Sequence, residues 1–226
     1  MSTSEFSIEF DVLYNNITNN LAPGLSEYEK SVFLTKAQEE LVISFYTGSN
    51  SVSKSFEKNE EVKRYLSPLI KSDSITASGD DYMGVSDTPS FFNLPDDVWF
   101  ILYESAEIAE PSCGKQVLTV TPISLDEYHK IKKNPFRGSN GRRVLRIETG
   151  CNVVELTSKN IDYYNIKYLK KPKPIILENL PDNLKIDSIA VKTECELNSA
   201  LHRTILERAV QLAIQSITTA GENKNN

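Results

Sequence analysis

Cysteine and histidine are scarce in this chain, and neither is clustered. Cys113, Cys151 and Cys195 are three in number, widely spaced, with no CxxC pair. An odd, scattered set argues against a disulfide framework and points to reduced thiols made in a cytoplasm. The two histidines, His129 and His202, have no Cys or carboxylate at zinc-ligand spacing. His202 lies beside the apolar stripe of a helical segment, where a structural role is expected. No apolar run approaches the roughly 20 residues of a membrane span. The opening MSTSEFSIEFDVLYNN has no basic stretch followed by an apolar core, so no secretory signal is expected. There is no GxSxG, Walker loop or GxGxxG. Asp80-Asp81 and Asp96-Asp97 lack the glycine and terminal glutamate of a calcium loop. No cofactor, metal site or catalytic residue is therefore expected.

What is present is segregated charge. Across 226 residues the net charge is −6, with 31 acids and 25 Lys and Arg. Segment 128–173 nevertheless holds twelve bases and three acids, which leaves the remainder at −15. Segment 71–127 alone has eleven acids and two bases. The stretch YHKIKKNPFRGSNGRRVLR, 128–146, has seven bases and no acid. Its candidate contact residues are Lys130, Lys132, Lys133, Arg137, Arg142, Arg143 and Arg146, with Asp80 and Asp81 as acidic counterparts. Opposite faces of opposite sign would let two copies dock. Charge alone is equally compatible with solvated loops.

Periodicity gives an α+β reading. Phe10, Leu13, Tyr14 and Ile17 mark a first helix. Ser26 and Glu29 form a capping box for a second, with Val32, Phe33, Ala37, Leu41, Val42 and Phe45 spaced at three or four. A third, from about Asn59, should end or kink at Pro68. Segment 71–93 is polar, without a sustained period, and reads as a long loop or edge hairpin that serves as a mobile contact arm. VWFILYESAEI and GKQVLTVTPI read as a hairpin. Ser124 caps a short helix, 124–134. RRVLRIE, CNVVELT and IDYYNIKYLKKP read as strands ended by Pro172 and Pro174. Asn198 starts a last helix with a stripe of Leu201, Ile205, Ala209, Leu212 or Ala213, and Ile217. The expected architecture is a helical bundle from 1–70 plus 196–220, and a central antiparallel β-rich part, 71–195, with a long polar loop.

The basic stretch spans a helix end, a Pro/Gly/Asn loop and a strand start, so its charges are splayed rather than aligned in one groove. Nucleic-acid binding through 128–173 remains the alternative function.

Several segments together resemble the head-to-tail connector (ring) proteins of crAss-like tailed bacteriophages, related in plan to podovirus adaptor, or tail tubular, proteins. They are YEKSVFLTKAQEELV (28–42), NLPDDVWFILYESA (93–106), PISLDEYHKIKKNPFRG (122–138), YLKKPKPIIL (168–177) and CELNSALHRTILERAV (195–210). The resemblance implies a structural virion protein without catalytic residues, at the head–tail junction and made in the host cytoplasm. It implies a homo-oligomeric ring, typically twelve-fold, whose partners are a portal protein, further tail or ring proteins and viral DNA passing non-specifically, with no membrane. Acids lining such a channel would let DNA slide without sticking.

Overall fold

The computed structural model describes residues 1–19, 22–48, 60–79, 82–110, 114–134, 136–150, 152–158, 160–181 and 183–222. They fall into two compact units, one of residues 1–69 and 172–226, the other of 70–171. Helices and a mixed sheet make this an α+β protein with helices at both ends of the chain.

The first unit contains α1 (Thr3–Thr18), α2 (Glu27–Thr47), α3 (Glu60–Leu66) and α5 (His202–Glu222), α4 lying in the other unit. Capping boxes Ser2/Glu5 and Ser26/Glu29 start α1 and α2 by exchanging bonds with each other's amides. Asn19 and Gly48 stop them in left-handed conformations. α1 buries Phe6, Phe10 and Tyr14 and leaves Ile17 exposed, so its buried stripe runs one turn earlier than expected. α5 packs on α1 and α2 through Ile205, Leu206, Ala209, Val210 and Ala213. Pro68 lies in the 3-10 turn that follows α3, where the α-helix ends. His202 is buried, its Nε2 3.0 Å from the Leu197 carbonyl oxygen and its ring 5.3 Å from that of Phe6. Burial pulls its pKa below the usual value.

α2 buries a largely polar face: Lys30, Ser31, Thr35 and Gln38 beside Leu34, Ala37 and Val42. That face is satisfied by the extended segment 172–177. The Leu177 amide donates to Ser31 Oγ (3.1 Å), the Ile175 amide to Thr35 Oγ1 (3.1 Å), and Gln38 Nε2 to the Lys173 carbonyl (2.9 Å). Ser31, Thr35 and Gln38 follow each other at four and three residues, so one helix face does the work of a neighbouring strand. Lys30 Nζ, also buried, reaches Asp11 (2.6 Å) and Glu27 (2.9 Å), tying α1 to α2.

The second unit is a curled seven-stranded sheet. Its strands are β1 (Ile70–Thr76), β2 (Ser90–Asn93), β3 (Val98–Glu110), β4 (Gly114–Ile123), β5 (Arg143–Gly150), β6 (Val153–Leu156) and β7 (Tyr163–Lys170), in the order β1-β7-β3-β4-β5-β6-β2. Two irregularities in the β3–β7 register bend the long strand β3. The Ser78 amide donates to the Phe91 carbonyl (2.7 Å), so the two edges of the sheet approach each other. Inside the curl lie Phe92, Ala106, Leu118, Val120, Val144, Val154, Leu156, Tyr164, Ile166 and Tyr168.

The antiparallel expectation has one exception. β4 and β5 pair in parallel, Thr119 beside Arg143 through Ile123 beside Ile147. Helix α4 (Leu125–Ile131) is the cause, because a helical crossover returns the chain in the same direction. It covers the outer side of β5, packing Tyr128 and Ile131 on Leu145 and Ile147. Segment 71–93 contributes two strands, β1 and β2, at opposite edges of the sheet rather than one hairpin. The connection between them is tethered: buried Glu155 accepts from the Val85 (2.8 Å) and Ser86 (2.7 Å) amides. Asp73 Oδ1 accepts the Ser74 amide (2.8 Å), which blunts the exposed edge of β1 against further strand pairing.

Thr35→Val keeps the shape of the α2 face but leaves the Ile175 amide without an acceptor. Urea unfolding should show a loss of about 1–3 kcal/mol, whereas Lys36→Ala on the exposed side should stay within about 0.5 kcal/mol. Equal effects would remove the side-chain ladder from the account.

Candidate protein-interaction surface

The basic stretch is built as three elements: the C-terminal part of α4, a loop, and the start of β5. Ser124 caps α4 by accepting the Glu127 amide (3.4 Å), and the bases at its far end complement the helix dipole. The loop that follows is a succession of tight turns. The Asn134 amide donates to the Ile131 carbonyl (2.9 Å), and the Arg137 and Gly138 amides both donate to the Asn134 carbonyl. Asn134 Oδ1 accepts the Phe136 amide (2.9 Å), and Asn140 Oδ1 accepts that of Arg142 (2.9 Å). Asn140 and Arg143 exchange backbone bonds, and Ser139 is hydrogen-bonded to Thr157. A Cβ at Gly138 would come within 3.3 Å of the Asn134 carbonyl oxygen, so this close turn favours glycine.

The seven bases divide by what they touch. Arg146 points into the curl, about one-tenth exposed, with Nε 2.9 Å from Glu104 Oε2 and Nη1 2.8 Å from Glu148 Oε1. The Glu104 contact is an ion contact without hydrogen-bond alignment. Tyr164 Oη donates to the same Glu104 oxygen (2.6 Å). Burial is the largest single influence on the Arg146 pKa and would lower it, but Glu104, Glu148 and Tyr164 together outweigh it and hold the guanidinium charged. Burial and then Glu104 push the Tyr164 phenol far above its ordinary range. This triad spans β3, β5 and β7, and Arg146 belongs to the interior.

Arg143 is structural in a second way. One terminal nitrogen bridges the carbonyls of Phe136 (2.7 Å) and Gly138 (3.1 Å). Lys132 pairs with Asp87 (2.7 Å), which raises its pKa and fastens the segment between β1 and β2 to α4. Among the described residues, Lys130, Lys133, Arg137 and Arg142 form no ion pair, and all four are exposed. Asp80 and Asp81 lie outside the described residues.

A residue the charge pattern did not single out completes the surface. Phe136 is 86% exposed at the crest of the loop, between Lys133 and Arg137, and its amide and carbonyl are both held from below. Its only sequence signal is an aromatic in NPFRG, a turn-rich run where burial is not expected. An exposed ring among cations on a pinned loop has the make-up of a protein contact: an aromatic anchor with arginine beside it. Among the described residues no group of His, Cys, Asp or Glu could hold a metal ion, and no helix is long and apolar enough to cross a membrane.

Arg146→Met would leave Glu104 buried without its cation and should cost about 3–5 kcal/mol. Arg142→Met removes an exposed charge and should stay within about 0.5 kcal/mol. Thermal or urea unfolding of both variants checks the division, and it fails if the two destabilise alike.

A family model described as phage tail ring protein 3/4 matches residues 1–225 of the chain. The chain is 45% identical to "Ring protein 3" of Bacteroides phage crAss001 over 231 aligned residues, covering 99% of this chain and all of that protein. It is 34% identical to "Ring protein 4/5" of the same phage over 224 residues, covering 94% of this chain and 92% of that one. The chain belongs to the phage tail ring protein 3/4 family and is a structural protein of the virion.

Proposed function

We propose that the chain is a non-catalytic subunit of a closed homo-oligomeric ring in the head-to-tail connector. In this reading the ring is twelve-fold, sits at the head–tail junction, and joins the portal to further tail or ring proteins. Its bore continues the channel for viral DNA. Full-length similarity to two proteins named for rings supports the assembly. A ring needs two different surfaces on each subunit, one to give and one to receive, because only a heterologous contact closes into a cycle of many copies.

The observation that carries the contact is the exposed Phe136 with four exposed cations near it in the chain that form no ion pair among the described residues. Side chains already engaged inside their own subunit, such as Arg143 and Arg146, are unavailable to a partner. Lys130, Lys133, Arg137 and Arg142 are available, and the loop that bears the last two is held by its own bonds. Such a surface loses little conformational freedom on docking. The same cations could instead meet the phosphates of passing DNA, and the two outcomes separate experimentally.

Reversing Lys130, Lys133, Arg137 and Arg142 to Glu should leave the monomer folded and abolish ring formation on the portal. Native mass spectrometry and electron microscopy of portal mixtures read both the loss and the twelve-fold copy number of wild type. Intact mutant rings with lost low-salt DNA binding would reassign the loop to nucleic acid.

A further inference from the structure

The ring reading leaves open what receives the loop. A groove in the other unit of the chain has the matching chemistry. It lies between α1 and α5, has a volume of about 240 Å³, and is lined by Glu9, Val12, Leu13, Arg203, Leu206 and Glu207. Val12, Leu13 and Leu206 make its apolar floor and walls, and Val12 is 54% exposed. Ile8, one turn before Val12, is 64% exposed, so the apolar strip continues along α1 beyond the groove. Two exposed branched aliphatics one turn apart on a helix that already buries its aromatic face are a second apolar face, left exposed among the described residues.

The rim has a sign. Glu9 and Glu207 form no ion pair among the described residues, and Arg203 is the cation that lines the groove with them, Arg208 being paired with Glu40. α1 carries Glu5, Glu9 and Asp11 and no lysine or arginine along its length. An apolar floor under an acidic rim calls for an apolar group flanked by bases. The Phe136 loop is such a group: an exposed ring with Lys133 before it and Arg137 and Arg142 after it. Arg203 would not repel this knob alone, since a guanidinium can lie over the face of a phenyl ring.

We infer that the Phe136 loop of one copy seats in the α1–α5 groove of a neighbouring copy, with Arg137 and Arg142 facing Glu9 and Glu207. The occupant is thus a second copy of this chain. Every subunit carries one knob and one groove, and because the two are different surfaces the contact repeats head to tail around a ring. The inference rests on the ring reading and adds the receiving surface to it. Desolvation of Phe136 against Val12, Leu13 and Leu206 supplies the attraction, and the charges set partner and orientation.

The test uses the full chain with p-benzoylphenylalanine at position 136, assembled on the portal from equal parts of isotopically heavy and light protein. The expected cross-links join position 136 to residues 9–13 or 203–207 and include heavy–light pairs. In parallel, Arg137→Glu with Arg142→Glu should lower ring yield on the order of tenfold or more. Adding Glu9→Lys and Glu207→Lys to that variant should restore it. Rings whose cross-links fall elsewhere, or only within one copy, overturn the groove assignment while the ring reading stands. Wild-type chain that forms no ring at all overturns both, and the unsubstituted control shows which has failed.

Discussion

One guanidinium nitrogen of Arg143 bridging the carbonyls of Phe136 and Gly138 is the contact on which the shape of the proposed contact loop depends. Those two carbonyls have no strand or helix partner, and a loop of this length without them satisfied would sample many conformers. A charged donor gives each of them a stronger bond than a neutral one would. Asn134 and Asn140 do the same for the amides of Phe136 and Arg142. The outcome is a loop with much of its backbone bonded from within, which leaves its aromatic and its exposed cations to offer a partner.

That arrangement needs a rigid base, and the curled sheet supplies it. β5 carries the loop's C-terminal end. Its alternate residues face two ways, Val144 and Arg146 into the curl, Leu145 and Ile147 against α4. The Arg146–Glu104–Tyr164 group fixes β5 to strands two and three places away across the interior. A buried ion pair of this kind is costly to desolvate and strongly penalises any register that separates its members. It therefore specifies the position of β5 more than it adds stability.

The elements were largely legible in the sequence. The capping box at Ser26, the cap at Ser124, the alternation of Leu118 and Val120 with Val117, Thr119 and Thr121, and the α5 stripe all derive from local chemistry, and local chemistry decided them. The parallel β4–β5 pair was not legible, since it follows from where a helix returns the chain. The strands β1 and β2 were hidden for a different reason: an edge strand such as IKSDSIT faces water on most of its surface and shows no apolar alternation. The ladder of Ser31, Thr35 and Gln38 was hidden because buried polar residues look like surface until their partner, 172–177, is known. Of the seven bases in the candidate site, charge counting treats all alike. Only coordinates separate Lys132, Arg143 and Arg146, which are engaged within the subunit, from the four that form no ion pair among the described residues, and only coordinates reveal Phe136.

The central claim is that this pinned loop is an intersubunit contact of a tail ring. Electron cryomicroscopy of the chain bound to its portal, at a resolution that shows side chains, tests it most directly. The account predicts a closed ring with Phe136 buried between adjacent copies and Arg143 still bridging its two carbonyls. A ring in which Phe136 faces solvent or the bore would contradict it.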